Sequence, residues 1–493
     1  MIDLIIGDAA LTPTALDRAV REKHRVRIAE SAMVRVRSAR VVVDDILLED
    51  APVYGVNTGV GSQKAHAVDL SAITDYNRAL IRAHGTRVPG PHASQETVRA
   101  TLIVMINEHC HGLSGISPEL LSLMAELANA DIMPKIDASG SVGASDLVPL
   151  AQIAEWILSD PRSIAAELPK AKDALCLINC NAFSLAVAAL GSSDLKSLFS
   201  GFEHAAVFSL EGFRANLDAV SQDVACMTAR VGQREVADNL AGLLKGSALL
   251  EKGKARFLQD PLSFRNVTQV LGAALECADW LERVLTDEMA SSVVNPMIVR
   301  SDSSAVSHGN MDTTRLTLAI DMMRQALAKV ADVVGERVQK QQWPTFSGLP
   351  IGLAQDDAPT GGVQFLNLGH ITASLVTSVK IWATPHLLHS VGQVADGVED
   401  TASNAVHSAF DLNRQIEACF KIATLETIVA LWAIDRRDLP VEDLGQAQRA
   451  LCDQLKPLLP IGSEGADTFD LAPCVKLFRD YFSTVESNEC GLK

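Results

Sequence analysis

PKIDASGSVGASDLVPL, residues 134–150, is a run of small residues between two hydrophobic helical patterns. Gly140 and Gly143 permit backbone conformations that are closed to other residues. Ser145 and Asp146 make a strong N-cap, so the pattern predicts a helix over Leu147–Leu158. The start of such a helix presents free N–H groups to an anion. A loop followed by a well-capped helix is the commoner role of such a run.

Residues 140–150, GSVGASDLVPL, resemble the signature of the histidine and aromatic amino acid ammonia-lyases, with one residue missing. In that family an Ala-Ser-Gly triad cyclises into an electrophilic methylidene-imidazolone, when the Gly nitrogen attacks the Ala carbonyl and water is lost. Here Ala144 and Ser145 are followed by Asp146, whose Cβ restricts the tight backbone that glycine allows. A literal Ala138-Ser139-Gly140 aligns before the signature. We therefore expect a scaffold of this family without its electrophilic cofactor.

Composition narrows the class of protein. The chain has 493 residues, 48% of them hydrophobic, and a formal net charge of −17, so it can bury a large core. The acidic balance argues against nucleic acid and anionic membranes as partners. Nine cysteines without CxxC or zinc-like spacing, and no signal-peptide pattern, predict reduced thiols, no metal site and a cytoplasmic location. Apolar runs such as Ile422–Ile434 are too short to span a bilayer.

Helical periodicity dominates the chain, and period-2 strand patterns are nearly absent apart from pieces such as Met297–Arg300. Residues 13–48 also have helical spacing. Helices far longer than about 11 residues predict an all-α protein with a long central bundle. We predict an N-terminal active-site domain over 1–190, and a helical bundle with C-terminal helices over 191–493. The helical patterns are Thr74–His84, Gln95–His109, Pro118–Asn129, Val267–Met289, Thr313–Val338, Val363–Ala383, Ala402–Ile434 and the tail from Ala450.

Tyr54 lies in a glycine-punctuated loop, APVYGVNTGVG at 51–61, and is one of three tyrosines in the chain. A tyrosine in such a loop can be a packing residue. However, residues 54–61 closely match the second ammonia-lyase signature. In that family the tyrosine is carried on a mobile loop and is the leading candidate for the catalytic base, so the resemblance predicts this role for Tyr54.

Three further candidates precede residue 180. His84 ends a helical pattern before Gly85, where a cation suits the helix C-terminus; the family places a substrate-contacting residue there, a histidine in its histidine-specific members. Residues 172–179, KDALCLIN, resemble the family's Lys-Glu-Gly-Leu-Ala-Leu-Leu-Asn. Lys172 and Asn179 are about two helical turns apart and share a face. The resemblance predicts catalysis by Lys172 and substrate binding by Asn179. The alternative is that Lys172 is a solvated lysine and Asn179 only ends a helix.

A carboxylate anchor is expected at Arg265. Residues 259–265, QDPLSFR, resemble the family's Gln-Asp-x-Tyr-x-x-Arg, in which the arginine grips the substrate carboxylate. A planar guanidinium fork suits that task, although Arg265 could also be a structural ion-pair partner. The family's tyrosine, which serves chemistry at the electrophile, is Leu262 here.

Three motifs complete the predicted site. His308-Gly309-Asn310 resembles a Gly-Gly-Asn run, and Phe346 begins a Phe-Ser-Gly-Leu-Pro motif; both line the family's pocket, which predicts substrate binding by Asn310 and Phe346. Val398-Glu399-Asp400 resembles Gln-Glu-Asp and places Glu399 at the family's catalytic glutamate. A solvated acidic residue is the alternative.

Together these features predict a carbon–nitrogen lyase acting on a small histidine-like amino acid or betaine without the electrophile. Ergothioneine or hercynine would then give trimethylamine and an acrylate, because a quaternary nitrogen leaves as a neutral amine. One alternative is a conventional histidine or aromatic ammonia-lyase whose chromophore forms from an unexpected triad. Another is an inactive member retained as a binding protein. The resemblance also implies a homotetramer with shared active sites.

Overall fold

A computed structural model of the protein describes residues 2–49, 51–354, 366–389, 391–461 and 468–489. The described chain is predominantly helical, which confirms the predicted all-α class. Up to residue 213 its α-helices are α1 Pro13–Arg21, α2 Glu30–Leu48, α3 Ile73–His84, α4 Gln95–Cys110, α5 Pro118–Leu127, α6 Leu147–Ser159, α7 Pro161–Ala165, α8 Asp173–Ile178 and α9 Ala182–Phe213.

The remaining α-helices follow α9 in the chain. They are α10 Gln222–Cys226, α11 Val231–Leu243, α12 Leu262–Arg265, α13 Val267–Met289, α14 Thr314–Gln342, α15 Pro344–Ser347, α16 Leu366–Ile381, α17 Ala405–Arg436, α18 Gln446–Leu455 and α19 Ala472–Glu489. The bounds of α13 agree with the sequence pattern. The predicted helix over Val363–Ala383 begins, within the described residues, at Leu366; residues 363–365 lie outside them.

Short strands interrupt this helical architecture. β1 (Asp3–Ile6) pairs in parallel with β2 (Arg25–Ile28), and β3 (Met297–Val299) pairs antiparallel with β4 (Ser304–Val306). The expectation of helix throughout 13–48 is therefore wrong at β2. The four residues of β2 alternate charged and apolar, and Val26 is only 2% exposed, so this short period-2 pattern buries one face.

The chain forms two compact units, and neither is a single stretch of sequence. The first comprises Met1–Ser193, Leu281–Asp321 and Pro385–Phe410. The division predicted after residue 190 is close to the end of its first segment, but two later segments, which were assigned to the bundle, join this unit. Within the first unit α4 is buried along most of its length, with Leu102 and Ile106 fully inaccessible. This core explains why α4 carries apolar residues on every face.

The second unit comprises Asp194–Trp280, Met322–Thr384 and Asp411–Lys493. A buried ion pair between Arg337 of α14 and Glu426 of α17 lies within it, with the Arg337 Nη2 to Glu426 Oε2 distance 3.1 Å. The hydroxyl of Ser209 on α9 donates to Glu426 Oε1 at 2.7 Å. These bonds satisfy two charges that would be costly to bury alone.

The apolar run Asp173–Phe213 is long and hydrophobic enough to cross a membrane by length and composition alone, with a mean hydropathy of 1.8. The protein buries 94% of its most apolar window. Such burial is what the core helix of a globular fold shows, and it accounts for the apolar composition of α9.

Candidate active site

The first unit contains a cavity of about 1000 Å³. Six parts of that unit contribute to its wall: the Tyr54 loop, helix α3, the small-residue loop before α6, the end of α8, and two loops from the later segments. The predicted site residues in its lining are Tyr54, His84, Ala144, Ser145, Asn179 and Glu399. Folding thus brings together residues from motifs more than 300 positions apart in sequence.

Tyr54 is positioned by a compact loop. Its hydroxyl accepts a hydrogen bond from the backbone N–H of Gly61 at 3.1 Å. Gly55 has φ +68°, and a Cβ there would lie 2.4 Å from Leu175 Cδ2, so only glycine fits beside α8. The tight turn at Gly55 and the hydrogen bond from Gly61 together hold the phenol of Tyr54 at the cavity wall.

Helix α3 presents one face to the cavity, formed by Tyr76, Leu80, Ala83 and His84. Their spacings of three, four and eight residues place them on one side of the helix. His84 Nδ1 donates to the carbonyl oxygen of Leu80 at 2.9 Å. In that tautomer the neutral imidazole keeps Nε2 as an acceptor. His84 therefore both ends helix α3 and lines the cavity.

Tyr76 is a site residue that the sequence motifs did not identify. Burial raises the pKa of its phenol, a hydrogen bond from the Val60 N–H opposes that shift, and nearby Tyr54 adds to it. Tyr76 therefore remains a neutral phenol over a wider pH range than a free tyrosine. The available signal was a rare tyrosine eight residues before His84, on the same helix face.

The loop carrying Ser145 is fixed by two asparagines. Ser145 has φ +65°, its backbone N–H donates to Asn181 Oδ1 at 3.1 Å, and its hydroxyl donates to Asn179 Oδ1 at 2.6 Å. Asn179 Nδ2 in turn donates to the carbonyl oxygen of Asn295 at 2.9 Å. Asn179 therefore joins three parts of the cavity wall, which places it in the site and gives it a structural task.

Asp146 does not cap α6 with its side chain, contrary to expectation. Its carboxylate instead accepts from the Ser141 hydroxyl at 2.5 Å and from the Ser184 hydroxyl and N–H at 2.6 and 2.8 Å. Burial raises the pKa of Asp146 despite these bonds. The physical reason for the difference is that Ser184, in the first turn of α9, supplies an unpaired N–H to the same carboxylate.

Glu399 lies in the cavity wall on a tight turn whose ends pair at Val394 and Glu399, with the Val394 N–H donating to the Glu399 carbonyl at 3.0 Å. Burial raises the pKa of the Glu399 carboxyl, and nearby His84 opposes the shift. A carboxyl that holds its proton to higher pH than a free glutamic acid, beside an imidazole, can act as a hydrogen-bond or proton donor in the cavity.

Lys172 is placed outside the cavity lining. Its ammonium group is buried, donates to the carbonyl oxygen of Ser114 at 2.6 Å, and lies 3.9 Å from Cys176 Sγ. Burial lowers the pKa of Lys172. These contacts give Lys172 a structural role, as a buried donor to the carbonyl oxygen of Ser114. Its catalytic role stays a prediction.

The structure does not place Asn310 in the cavity lining, contrary to the prediction for the motif at 308–310. His308 and Gly309 line the cavity, whereas Asn310 is exposed and its backbone N–H donates to His308 Nδ1 at 3.1 Å. The N–H of His308 donates to Asn295 Oδ1 at 2.9 Å. Within this unit Asn310 orients the histidine, because its backbone fixes the imidazole.

Arg265 and Phe346 belong to the second unit and are not in the lining of the first unit's cavity. Within the described residues the guanidinium of Arg265 makes no hydrogen bond or ion pair, apart from an attraction to Asp260. The Phe346 ring lies 5.5 Å from Lys340 Nζ. Leu262, where the family has a tyrosine, is 64% exposed. An unpaired Arg265 is available to a ligand or to another chain.

Comparison with known proteins shows the family of the chain. Residues 11–457 match the family model described as aromatic amino acid lyase. The chain belongs to this family. It is 30% identical over 462 residues to the histidine ammonia-lyase of Myxococcus xanthus, covering 89% of each chain. Such relatives make this member a carbon–nitrogen lyase of the ammonia-lyase family.

Solved structures extend the comparison to the fold of this lyase. The ergothioneine-degrading ergothionase from Treponema denticola, in complex with desmethyl-ergothioneine sulfonic acid, is similar with a TM-score of 0.89 and 26% identity, over 98% of this chain and 99% of that one. Histidine ammonia-lyase from Trypanosoma cruzi is similar with a TM-score of 0.85 and 25% identity, over 98% and 94%.

The residues of this lyase do not fit the methylidene-imidazolone. The nitrogen that would have to attack the Ala144 carbonyl belongs to Asp146, and its N–H donates to the carbonyl oxygen of Cys180 at 2.8 Å. The Asp146 side chain is also held by Ser184. Cyclisation would break these buried bonds and lacks the glycine that the tight ring requires. The upstream Ala138-Ser139-Gly140 is not in the cavity lining.

Proposed function

We propose that this lyase eliminates trimethylamine from a histidine-derived betaine, with ergothioneine preferred over hercynine, and that it does so without the methylidene-imidazolone. The observation that carries the proposal is the stretch 144–146, where Asp146 follows Ser145 and its N–H is bound to Cys180. The similar ergothionase structure, named as an ergothioneine-degrading enzyme, supports the choice of substrate class.

The chemistry of the leaving group explains why such an enzyme needs no electrophile. A trimethylammonium nitrogen has no lone pair with which to attack one, and it departs as a neutral amine without being protonated. When the β-proton is removed, the C–H electrons form the new carbon–carbon double bond, and the C–N electrons leave with trimethylamine. The 2-thione of ergothioneine can delocalise charge that develops on the ring, which is why we rank it above hercynine.

The cavity residues take distinct roles in this proposal. Tyr54 removes the β-proton, and Glu399, whose pKa is raised by burial, stabilises the developing ring charge through a hydrogen bond from its protonated carboxyl and keeps that proton when the C–N bond breaks. His84 contacts the imidazole-derived ring, and Asn179 supplies a polar contact at the wall. Arg265 is outside the first unit's cavity lining, and we propose that it binds the carboxylate from a neighbouring copy, as suits a planar guanidinium whose described surroundings offer only the attraction of Asp260.

The second candidate is a conventional histidine ammonia-lyase, which the 30% identity to the Myxococcus xanthus enzyme favours. That activity would require a cyclised triad. The literal triad Ala138-Ser139-Gly140 is not in the cavity wall. A Cβ at Gly140 would also lie 2.6 Å from Val148 Cβ, so this turn is tightly packed. We therefore place ammonia release second.

Two measurements separate these candidates. The intact mass of the purified protein should equal the sequence mass, and its ultraviolet spectrum should show no chromophore beyond the aromatic residues; a deficit of two waters would contradict the proposal. Ergothioneine, hercynine and histidine should then be offered separately, with trimethylamine and ammonia measured in each reaction. Ammonia from histidine, with no trimethylamine from either betaine, would restore the conventional reaction.

We also propose a homotetramer with two-fold symmetries, in which Arg265 and Phe346 complete the cavity of a neighbouring copy. Large apolar side chains are exposed on helices of the second unit, including Met322, Ile371 and Ile381, and such surface favours association. A cytoplasmic location is proposed with it. The eight described cysteines are all free thiols, as expected in a reducing compartment.

A further inference from the structure

The cavity of the first unit has an unbalanced set of charges. Three carboxylate residues line it: Asp312, Glu399 and Asp400. Two histidines, His84 and His308, are the basic residues of this lining, and the described lining includes neither lysine nor arginine. The part of the wall that the first unit supplies therefore favours a cation, to which Glu399 adds only in its ionised form. The proposed Arg265 of a neighbouring copy would meet the substrate carboxylate instead.

The same wall contains aromatic surface. Two of the chain's three tyrosines, Tyr54 and Tyr76, are in the lining. The Gly61 N–H donates to the Tyr54 hydroxyl, and the two phenols are near enough for Tyr54 to affect the pKa of Tyr76. The hydrogen bond restricts the position of the Tyr54 ring, and both rings offer surface for apolar or cationic contact.

We propose that Tyr76 is a specificity-determining residue whose ring, in the same cavity as Tyr54 and the three carboxyl groups, binds the quaternary ammonium group of the substrate. This inference rests on the proposed function, because it names the group that the betaine presents. A quaternary ammonium has no N–H to donate, so aromatic faces and nearby carboxylates are the contacts that recognise it. A primary ammonium loses little when the ring is removed, since it can donate hydrogen bonds to Asp312 or Glu399.

The surroundings of Tyr76 favour a neutral phenol, which suits a different role from that of Tyr54. Burial and the proximity of Tyr54 raise the pKa of the Tyr76 phenol. Two adjacent phenols do not ionise together readily, so Tyr76 stays neutral while Tyr54 exchanges a proton. A neutral ring at that position retains its attraction for a cation throughout the reaction.

A purely structural role makes a different prediction, and conservative variants distinguish the two. If Tyr76 only supports the loop, its hydroxyl contact with the Val60 N–H is what matters, and Tyr76→Phe fails as badly as Tyr76→Leu. If the ring binds the cation, Tyr76→Phe and Tyr76→Trp keep function, and Tyr76→Leu loses it. The Trp variant also keeps the test decisive where the Leu variant does not fold.

The experiment measures binding of tetramethylammonium to the full-length protein by isothermal titration, with ammonium as the matched ion that lacks methyl groups. We expect Tyr76→Leu to weaken tetramethylammonium binding about 5- to 30-fold, the range of a cation–π contact, with ammonium binding unaffected. Tyr76→Phe and Tyr76→Trp should remain within about threefold of the wild type, since their rings retain that contact. Tyr481→Leu, outside the cavity, is the control and should bind as the wild type does.

Equal losses in Tyr76→Phe and Tyr76→Leu would assign the residue to loop support and overturn the inference, as would unchanged binding in Tyr76→Leu. Titration does not depend on turnover, so this result is independent of which amine the enzyme releases. An enzyme that produced only ammonia from histidine would refute the proposed function, and the dependence of tetramethylammonium binding on Tyr76 would still be read from the same titrations.

Discussion

Tyr54 is the residue on which the proposed elimination depends most. Its phenol is held at the cavity wall by the Gly61 N–H. Tyr54→Phe keeps the ring and removes the group that takes the proton, so kcat should fall by about 10²–10⁴-fold, the usual contribution of general base catalysis. Steady-state kinetics with ergothioneine test this, with Tyr481→Phe as a matched control. Turnover near the wild-type rate in a folded Tyr54→Phe protein would exclude the role.

The pH dependence of the reaction should depend on Glu399. Burial raises the pKa of its carboxyl, so the protonated, donating form persists to higher pH than in a free glutamic acid. If Glu399 is the acid, kcat/KM falls as pH rises through that raised pKa, and Glu399→Gln removes this descending limb while lowering the maximum. Asp8→Asn, at an exposed position outside the cavity lining, should leave the profile unchanged. A profile of the same shape in Glu399→Gln would show that another group titrates.

Ser145 offers a direct distinction between the two kinds of elimination. A methylidene-imidazolone cannot form without the serine side chain, so Ser145→Ala would abolish an activity that uses one. In the proposed reaction the variant loses only the hydrogen bond to Asn179, worth about 1 kcal/mol, and kcat/KM should fall about tenfold or less. Complete loss of trimethylamine release by a folded Ser145→Ala protein would contradict the electrophile-free mechanism.

Short signatures predicted Tyr54, His84, Asn179 and Glu399, and all four line one cavity. Their catalytic and binding roles stay predictions. The sequence did not point to Tyr76, because no local pattern marks it and its place in the lining depends on how α3 and the Tyr54 loop come together. The position of each side chain relative to the others depends on contacts distant in sequence.

Helices were the elements most accessible to sequence reasoning. Val267–Met289 is observed with the predicted bounds, because a long stripe of apolar residues at helical spacing admits few other structures. The strand β2 was missed for the converse reason, since four residues carry too little periodicity to outweigh the helical patterns around them. Asp146 shows the same limit, because its cap geometry depends on Ser184, 38 residues later.

Helix α9 carries two buried carboxyls, Glu203 and Glu211, whose titration should contribute to the pH dependence of stability. Burial raises the pKa of Glu211 to about 7, although the Ser247 hydroxyl and the Gly445 N–H donate to it. The folded state therefore binds more protons than the unfolded state between about pH 4.5 and 7, and stability falls as pH rises through this window. The cost at pH 8 should approach about 3 kcal/mol.

Glu211→Gln tests this because it keeps a carbonyl acceptor and removes the charge. In denaturant unfolding, the free energy of unfolding of the variant should rise relative to that of the wild type from about pH 4.5 to 8, with no difference at the acidic end. Glu442→Gln, at an exposed position, serves as the control and should follow the wild type. A constant difference between Glu211→Gln and wild type at every pH would mean that the carboxyl does not titrate in this window.

At the scale of the whole molecule, the division of the chain could not be deduced from local patterns. The cavity needs residues 295–312 and 394–401, which belong to the first unit although each follows a long segment of the second. Composition does not change at these junctions, so the sequence offers no linker to mark them. The resemblance predicted both motifs as parts of one site before the fold showed how the chain brings them there.

The proposed tetramer makes its sharpest prediction through residues that the cavity of the first unit lacks. If Arg265 of one copy serves the cavity of another, Tyr54→Phe and Arg265→Lys damage different contributions to each site. Arg265→Lys should raise KM, because an ammonium cannot reproduce the bidentate fork. Subunits of the two variants, mixed under mild denaturation and reassociated, should then regain activity, since some sites combine an intact Tyr54 with an intact Arg265. Light scattering should report a tetramer throughout, and each variant reassociated alone is the control. A monomer at micromolar concentration, or a mixture no more active than its parents, would place Arg265 outside any shared site.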